Sequence, residues 1–112
     1  MSGRKQHREQ VAADALAALG NRTRLRIFKL LVRAGRDGTN VGTIQRMLGV
    51  PPTTLGHHLS TLTQADLVAQ ERRGREVICT ANYKAVNEVL EYVRAECCAG
   101  LESDEASEIE AA

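Results

Sequence analysis

The chain is short of several things, and each shortage excludes a class of protein. No apolar run approaches the roughly 20 residues that a membrane-crossing helix needs. Met1 to Gln10 are basic and polar, without the apolar stretch of a secretion signal. The expectation is a cytoplasmic protein with no membrane partner. Cysteine is scarce and odd in number, at Cys79, Cys97 and Cys98. An odd count does not build a secreted disulfide framework, and in a reducing compartment all three are expected as free thiols. No internal repeat, phosphate-binding loop, paired-acid motif or nucleophile–base arrangement is present, so nothing points to an enzyme.

With 112 residues the chain can build one small domain around one modest core. Its net charge of +1 hides an asymmetry. Residues 1–100 hold all fifteen cations and nine acids, a net +6, while residues 101–112 hold five acids and no cation, a net −5. A basic body suits an anionic partner such as nucleic acid. The organisation expected is a flexible basic N-terminus over 1–9, one domain over 10–100, and a disordered acidic tail over 101–112.

Hydrophobic spacing places the elements. Val11, Ala15, Leu16, Ala18 and Leu19 form a first helical stripe ended by Gly20. Asn21 can cap a second helix with Leu25, Phe28, Leu31 and Val32 inward. A third helix starts near Thr39 or Asn40, with Val41, Ile44, Met47 and Leu48 inward and Gly49 as its stop. After the turn Gly49-Val50-Pro51, a fourth helix carries Leu55, His58, Leu59 and Leu62 on one face and Thr53, Thr54, His57, Ser60 and Thr61 on the other. Residues 67–72 and 75–80 read as strands joined at Arg73-Gly74. A last helix from about Asn82 has Val86, Val89, Leu90 and Val93 on one side, with Cys97 continuing that row.

Two short helices, a tight turn and a basic hairpin make a winged helix-turn-helix, a mainly α fold with a β-hairpin wing. Thr53, Thr54 and Ser60 are small enough to approach base edges and phosphates, and His57 adds a donor. Arg72, Arg73 and Arg75 at the hairpin tip can reach flanking phosphates or the minor groove. His58 shares its face with leucines and reads as a core-facing, hydrogen-bonded histidine.

"LGNRTRLRIFKLLVRAG", followed by "VGTIQRMLGVPPTTLGHHLSTLTQADLVAQERRGREVICT", resembles the ArsR/SmtB family of winged-helix metalloregulatory repressors. The likeness covers roughly residues 10–100. It implies a homodimer formed through the first and last helices, an inverted-repeat DNA operator, and release of that double-stranded DNA when an inducer binds. A small chain with two striped terminal helices gains from such a dimer, which would cover both.

The family's sensor sites are matched residue by residue. Its Cys-x-Cys arsenic site on the helix before the recognition helix is absent from "NVGTIQRML", and its Asp/His zinc site is absent from "NYKAVNEVLEYVRAECC". No zinc site is therefore expected. The "ECCAG" ending resembles an arsenic-responsive subgroup with a vicinal cysteine pair, but the further cysteine common in that subgroup is replaced here by Glu102, Ser103 and Asp104. Cys97 and Cys98 are thus the candidate ligands, and trivalent arsenic, inorganic or as an organoarsenical such as methylarsenite, is the expected inducer. Inorganic As(III) favours three thiolates, whereas an organic arsenical already holds carbon in one position. Cys79 is the candidate third ligand, though its strand position reads better as a buried structural thiol.

Other readings of the pair stay open: a redox or persulfide sensor, another soft-metal sensor, or plain burial. A direct Cys97–Cys98 disulfide is disfavoured, because adjacent Cα atoms lie about 3.8 Å apart, below the usual disulfide range. A winged-helix module used for protein contacts is the alternative from another class.

Overall fold

The structure, a computed structural model, describes residues 2–101. The acidic stretch 102–112 lies outside the described residues. Five helices and three short strands follow one another: α1 (Ser2–Leu19), α2 (Arg22–Ala34), β1 (Thr39–Asn40), α3 (Val41–Leu48), α4 (Pro52–Gln64), β2 (Val68–Arg73), β3 (Glu76–Ala81) and α5 (Tyr83–Arg94). A single turn of 3-10 helix, Gly35–Asp37, links α2 to β1.

Side-chain caps set several helix starts. Asn21 accepts from the Arg24 amide at 3.0 Å, Asn40 from Thr43 at 2.7 Å, and Asn82 from Ala85 at 3.2 Å. Pro51 precedes α4, whose first turn needs no amide donor from Pro52. Gly49 closes α3 in the left-handed region at φ 65°, returning its amide to Gln45 O at 2.8 Å.

The core gathers Ile27 and Leu31 of α2, Ile44 of α3, Leu55, Leu59 and Leu62 of α4, then Leu67 and Cys79. The inner face expected for α4 is therefore right in its leucines, and that of α2 holds for Phe28 and Leu31. Four helices depart from expectation. In α1, Ala12, Ala15 and Ala18 face inward, while Val11 and Leu16 are each 46% exposed. Small alanines let α1 lie close to its neighbours and turn the larger side chains outward. That helix also reaches back to Ser2, through residues expected to form a flexible N-terminus. In α2, Leu25 and Val32 are exposed, and in α3 Met47 is 66% exposed rather than inward. In α5, Val89 is buried but Leu90 and Val93 are more than half exposed.

The sheet has order β1-β3-β2 and is antiparallel throughout. Thr39 and Asn40 pair with Cys79 and Ile78, adding a strand where a helix start was expected. The β2–β3 register, from Val68↔Ala81 to Arg73↔Glu76, puts the turn at Gly74-Arg75, one residue later than expected. Gly38 has φ +66°, and a Cβ on it would overlap the Cys79 carbonyl oxygen and lie 2.6 Å from Thr80 Cγ2. Only glycine lets the chain enter β1 so close to β3.

One polar tie links α4 to the first helix. Arg24 donates through Nε to the Ala18 carbonyl at 2.6 Å, and its Nη1 lies 3.3 Å from His58 Nδ1. A guanidinium has only donors, so Nδ1 accepts and His58 is neutral in this contact. His58 is hydrogen-bonded as the sequence suggested, but it is half-buried rather than core-facing. Burial, then the positive charge of Arg24 and the neighbouring His57, lower its pKa from 6.5.

Two outcomes follow. Gly38→Ala should lower stability by about 2 kcal/mol through a strained φ and lost β1–β3 contact, visible as a lower melting temperature by circular dichroism. Because His58 has a depressed pKa in the folded chain, the unfolded state binds its proton first on acidification. The stability linked to His58 is complete above about pH 6.5 and is lost as pH falls through its lower folded value. His58→Asn, which keeps an acceptor, should therefore show a smaller drop in melting temperature between pH 7.5 and 5.5 than the wild type. Equal drops would contradict the assignment.

Candidate nucleic-acid interface and thiol pair

Burial of Leu55, Leu59 and Leu62 orients α4 and leaves its opposite surface to solvent. Thr53, Thr54, His57 and Ser60 are all exposed there, on one helix that directly follows α3 and a tight turn. The four residues singled out from the sequence thus share one accessible surface. The half-buried Thr61 folds its hydroxyl back onto the His57 carbonyl at 3.2 Å.

The three arginines of the hairpin do not act as one group. Arg72 lies opposite Val77, and Gln70 opposite Cys79, so Arg72 and Gln70 share the sheet face turned toward α4. Arg73 is on the other face, paired with Glu71 at 3.2 Å. Arg75 sits in the turn itself. Both partners of the Arg73–Glu71 pair are exposed, so water screens it and a phosphate can compete for the guanidinium. Gln70 was not singled out from the sequence. Alternation placing it two residues before Arg72 was the available signal.

α5 ends at Arg94, and Ala95 to Cys98 continue as turns, with the Cys97 amide on Arg94 O at 2.9 Å and the Ala99 amide on Glu96 O at 3.2 Å. Cys97 therefore does not extend the apolar row of α5, as the spacing had implied. Cys98 takes a left-handed conformation at φ 62°, which is uncommon for a residue with a side chain. Successive side chains on a regular helix diverge by about 100°. Leaving the helix and reversing φ at Cys98 removes that divergence, and the two sulfurs lie 3.5 Å apart, both exposed.

That separation is well beyond the S–S bond of about 2.0 Å, so these are two thiols. A central atom bonded to both at about 2.3 Å would see them at about 100°, an angle suited to a pyramidal or tetrahedral soft centre. Among the described residues, no three His, Cys, Asp or Glu side chains stand together as a metal-holding group. Cys79 is fully buried in β3, 3.8 Å from Gln70 Nε2, and burial raises its pKa. It fills the core, as the strand position suggested. Arg94, the nearest cation to the pair in sequence, is held by Glu91 at 2.6 Å.

Residues 19–71 match a family described as a helix-turn-helix domain. No curated protein matches the sequence. An ArsR-like transcriptional regulator from Rhodococcus sp. RHA1 is 28% identical, with TM-score 0.67, covering 79% of this chain and 83% of that one. The homodimeric winged helix-turn-helix DNA-binding domain of a possible ArsR-family transcriptional regulator from Mycobacterium bovis is 28% identical, with TM-score 0.68, covering 86% and 88%. NolR from Sinorhizobium fredii is 26% identical, with TM-score 0.65, covering 89% and 97%. The exposed small residues of α4, the hairpin beside them and these likenesses agree on a winged helix-turn-helix DNA-binding domain that is similar to ArsR-like transcriptional regulators.

Proposed function

We propose that this chain is a dimeric repressor that holds an inverted-repeat operator and releases it when a trivalent arsenical bridges Cys97 and Cys98. The observation that carries the reading is the exposed thiol pair, 3.5 Å between sulfurs, immediately after a helix with an uncovered apolar face. Leu90 and Val93 of α5 are 59% and 55% exposed, and Val11 and Leu16 of α1 are 46% exposed. Helices α1 and α5 pack on each other, so a second copy seated there would bury apolar groups of both. The Mycobacterium bovis domain, described as homodimeric, supports this assembly. A two-fold dimer offers two α4 helices to successive major-groove half-sites. On each, Thr53, Thr54, His57 and Ser60 face the bases, while Arg72, Arg73 and Arg75 reach the flanking backbone.

The ligand chemistry balances without oxidation. A methylarsenous acid exchanges two As–O bonds for two As–S bonds, the thiol protons leave in two waters, and the As–C bond is untouched. Two thiols suffice for such a ligand, which fits a pair with no third sulfur beside it among the described residues. Inorganic arsenite would need an exogenous thiol or oxygen to complete its set. Because the pair follows α5 directly, a ligand that orders residues 95–98 alters the end of the dimer-forming helix. A coupling of about 1–3 kcal/mol corresponds to a roughly 5–150-fold change in operator affinity.

The test is fluorescence anisotropy of a labelled operator duplex. Methylarsenite should release DNA from the wild type, whereas Cys97→Ser and Cys98→Ser should bind DNA normally and hold it in methylarsenite. Zinc should release neither. Continued binding by the wild type in both arsenite and methylarsenite would overturn the arsenical reading. Release by sulfide or peroxide alone would replace it with a redox one.

A further inference from the structure

Four cations stand in a row on the outer side of α2. Arg22, Arg26, Lys29 and Arg33 follow one another at spacings of four, three and four, so they share one stripe, and all four are exposed. The stripe lies opposite the buried Ile27, Phe28 and Leu31. Arg24 is the one cation of α2 turned the other way, toward the Ala18 carbonyl and His58 of α4. The stripe therefore faces away from α4, and a duplex lying along α4 leaves it uncovered.

The helix has no acid of its own. Among the described residues, none of the four side chains holds an ion pair or a hydrogen bond. Like charges one turn apart destabilise a helix, and Arg22 in the first turn also opposes the macrodipole. Such a row is relieved only by an anion laid across it. Leu25 and Val32 lie beside it, 44% and 39% exposed, so the face is apolar along one edge.

The chain carries a matching segment. Glu102, Asp104, Glu105, Glu108 and Glu110 give residues 102–112 five negative charges and no positive one, and Ile109 adds a large apolar group. The reach is sufficient. Tyr83, the first residue of α5, donates to the Val32 carbonyl at 2.8 Å, so α5 starts beside the end of α2. The twelve residues of α5 span about 18 Å, and the stretch 102–112 can extend over about 36 Å. Chain continuing from Leu101 can thus return along α5 to Lys29 and Arg33.

We propose that the cationic face of α2 is the docking site for the acidic segment 102–110 of this same chain. Its carboxylates meet Lys29 and Arg33 first and continue along the row, and Ile109 supplies an apolar group for the edge at Leu25 and Val32. Each such contact is exposed and weak, so the dock is held by their number and loosens in salt. The segment begins four residues after Cys98, so docking also tethers the turn that carries the two thiols. The proposal depends neither on the operator nor on the ligand of that pair.

The experiment uses the full chain and a water-soluble carbodiimide, which couples a lysine amine to a carboxylate as an amide while the reagent takes up the water lost and leaves as its urea. Lys29 is the only lysine of α2, and mass spectrometry of the digest should find it joined to a carboxylate of 102–110. The yield should fall several-fold in about 500 mM salt, and also in Arg22→Gln/Arg26→Gln/Arg33→Gln, which keeps the amine but removes its neighbours. A second arm neutralises the segment by Glu→Gln at 102, 105, 108 and 110 with Asp104→Asn. That change should lower the melting temperature by a few degrees in about 20 mM salt, and by nothing in the background of the three α2 substitutions. Cross-links confined to Lys5 and Lys84, a Lys29 yield indifferent to the three arginines, or equal falls in melting temperature in both backgrounds would overturn the proposal. So would two other results for the α2 variant: a salt slope of DNA binding reduced by about three, which would give the face to nucleic acid, or loss of the dimer, which would give it to a second copy.

Discussion

Burial of one face of α4 is the contact on which this structure depends. Leu55, Leu59 and Leu62 lie almost wholly out of solvent, against Ile27 and Leu31 from α2, Ile44 from α3, Leu67, and Cys79 of the sheet. Each fully buried aliphatic side chain contributes on the order of 1.5–3 kcal/mol. A helix held on that side must present its other side outward, and that side carries Thr53, Thr54, His57 and Ser60. The same packing brings β2 and β3 alongside, which sets Arg72 near α4 and sends Arg73 to the far face. Arg24 adds a polar restraint, donating to the Ala18 carbonyl at the end of α1 and to His58 Nδ1 on α4.

What the core cannot cover is as informative as what it covers. A small domain leaves Val11, Leu16, Leu90 and Val93 in water, on the two helices at its chain ends. Those helices pack together, and α5 runs directly into the Cys97-Cys98 turn. In the proposed repressor, one helix thus serves both the dimer seam and the sensor. A ligand that draws two thiols together needs no long pathway to act on the spacing of the two α4 helices. It has only to favour one arrangement of α5 over another.

Much of this was legible in the sequence, for reasons that can be named. The Leu55-Leu59-Leu62 spacing, the Pro51-Pro52 start and the Gly49 stop are local signals, and α4 forms where they put it. Asn21, Asn40 and Asn82 all cap helices as short polar residues before apolar runs should. β1 was not legible, because two residues carry no periodicity and their pairing is settled by Cys79 and Ile78 far along the chain. The inward face of α1 was legible in part: Ala15 and Ala18 are buried as expected, but Val11 and Leu16 turn outward because an alanine face packs more closely. The end of α5 was placed too late. Its stop is a series of tight turns that begins after Arg94 and includes a left-handed Cys98, ahead of the glycine at Gly100 that would signal it. The nearness of the two sulfurs depends on that same turn, which the spacing of the apolar residues does not reveal. The Arg24–His58 tie joins residues 34 apart, and sequence could supply only the histidine's apolar face.

The central claim is that the thiol pair and the DNA surface are two sites of one equilibrium. Linkage makes this measurable in both directions, because each ligand must change the other's affinity by the same factor. The direct measurement is the methylarsenite affinity of the dimer, free and saturated with operator. The account predicts weaker binding to the operator-bound protein, by the factor through which methylarsenite weakens the operator. Equal affinity in the two states would contradict it.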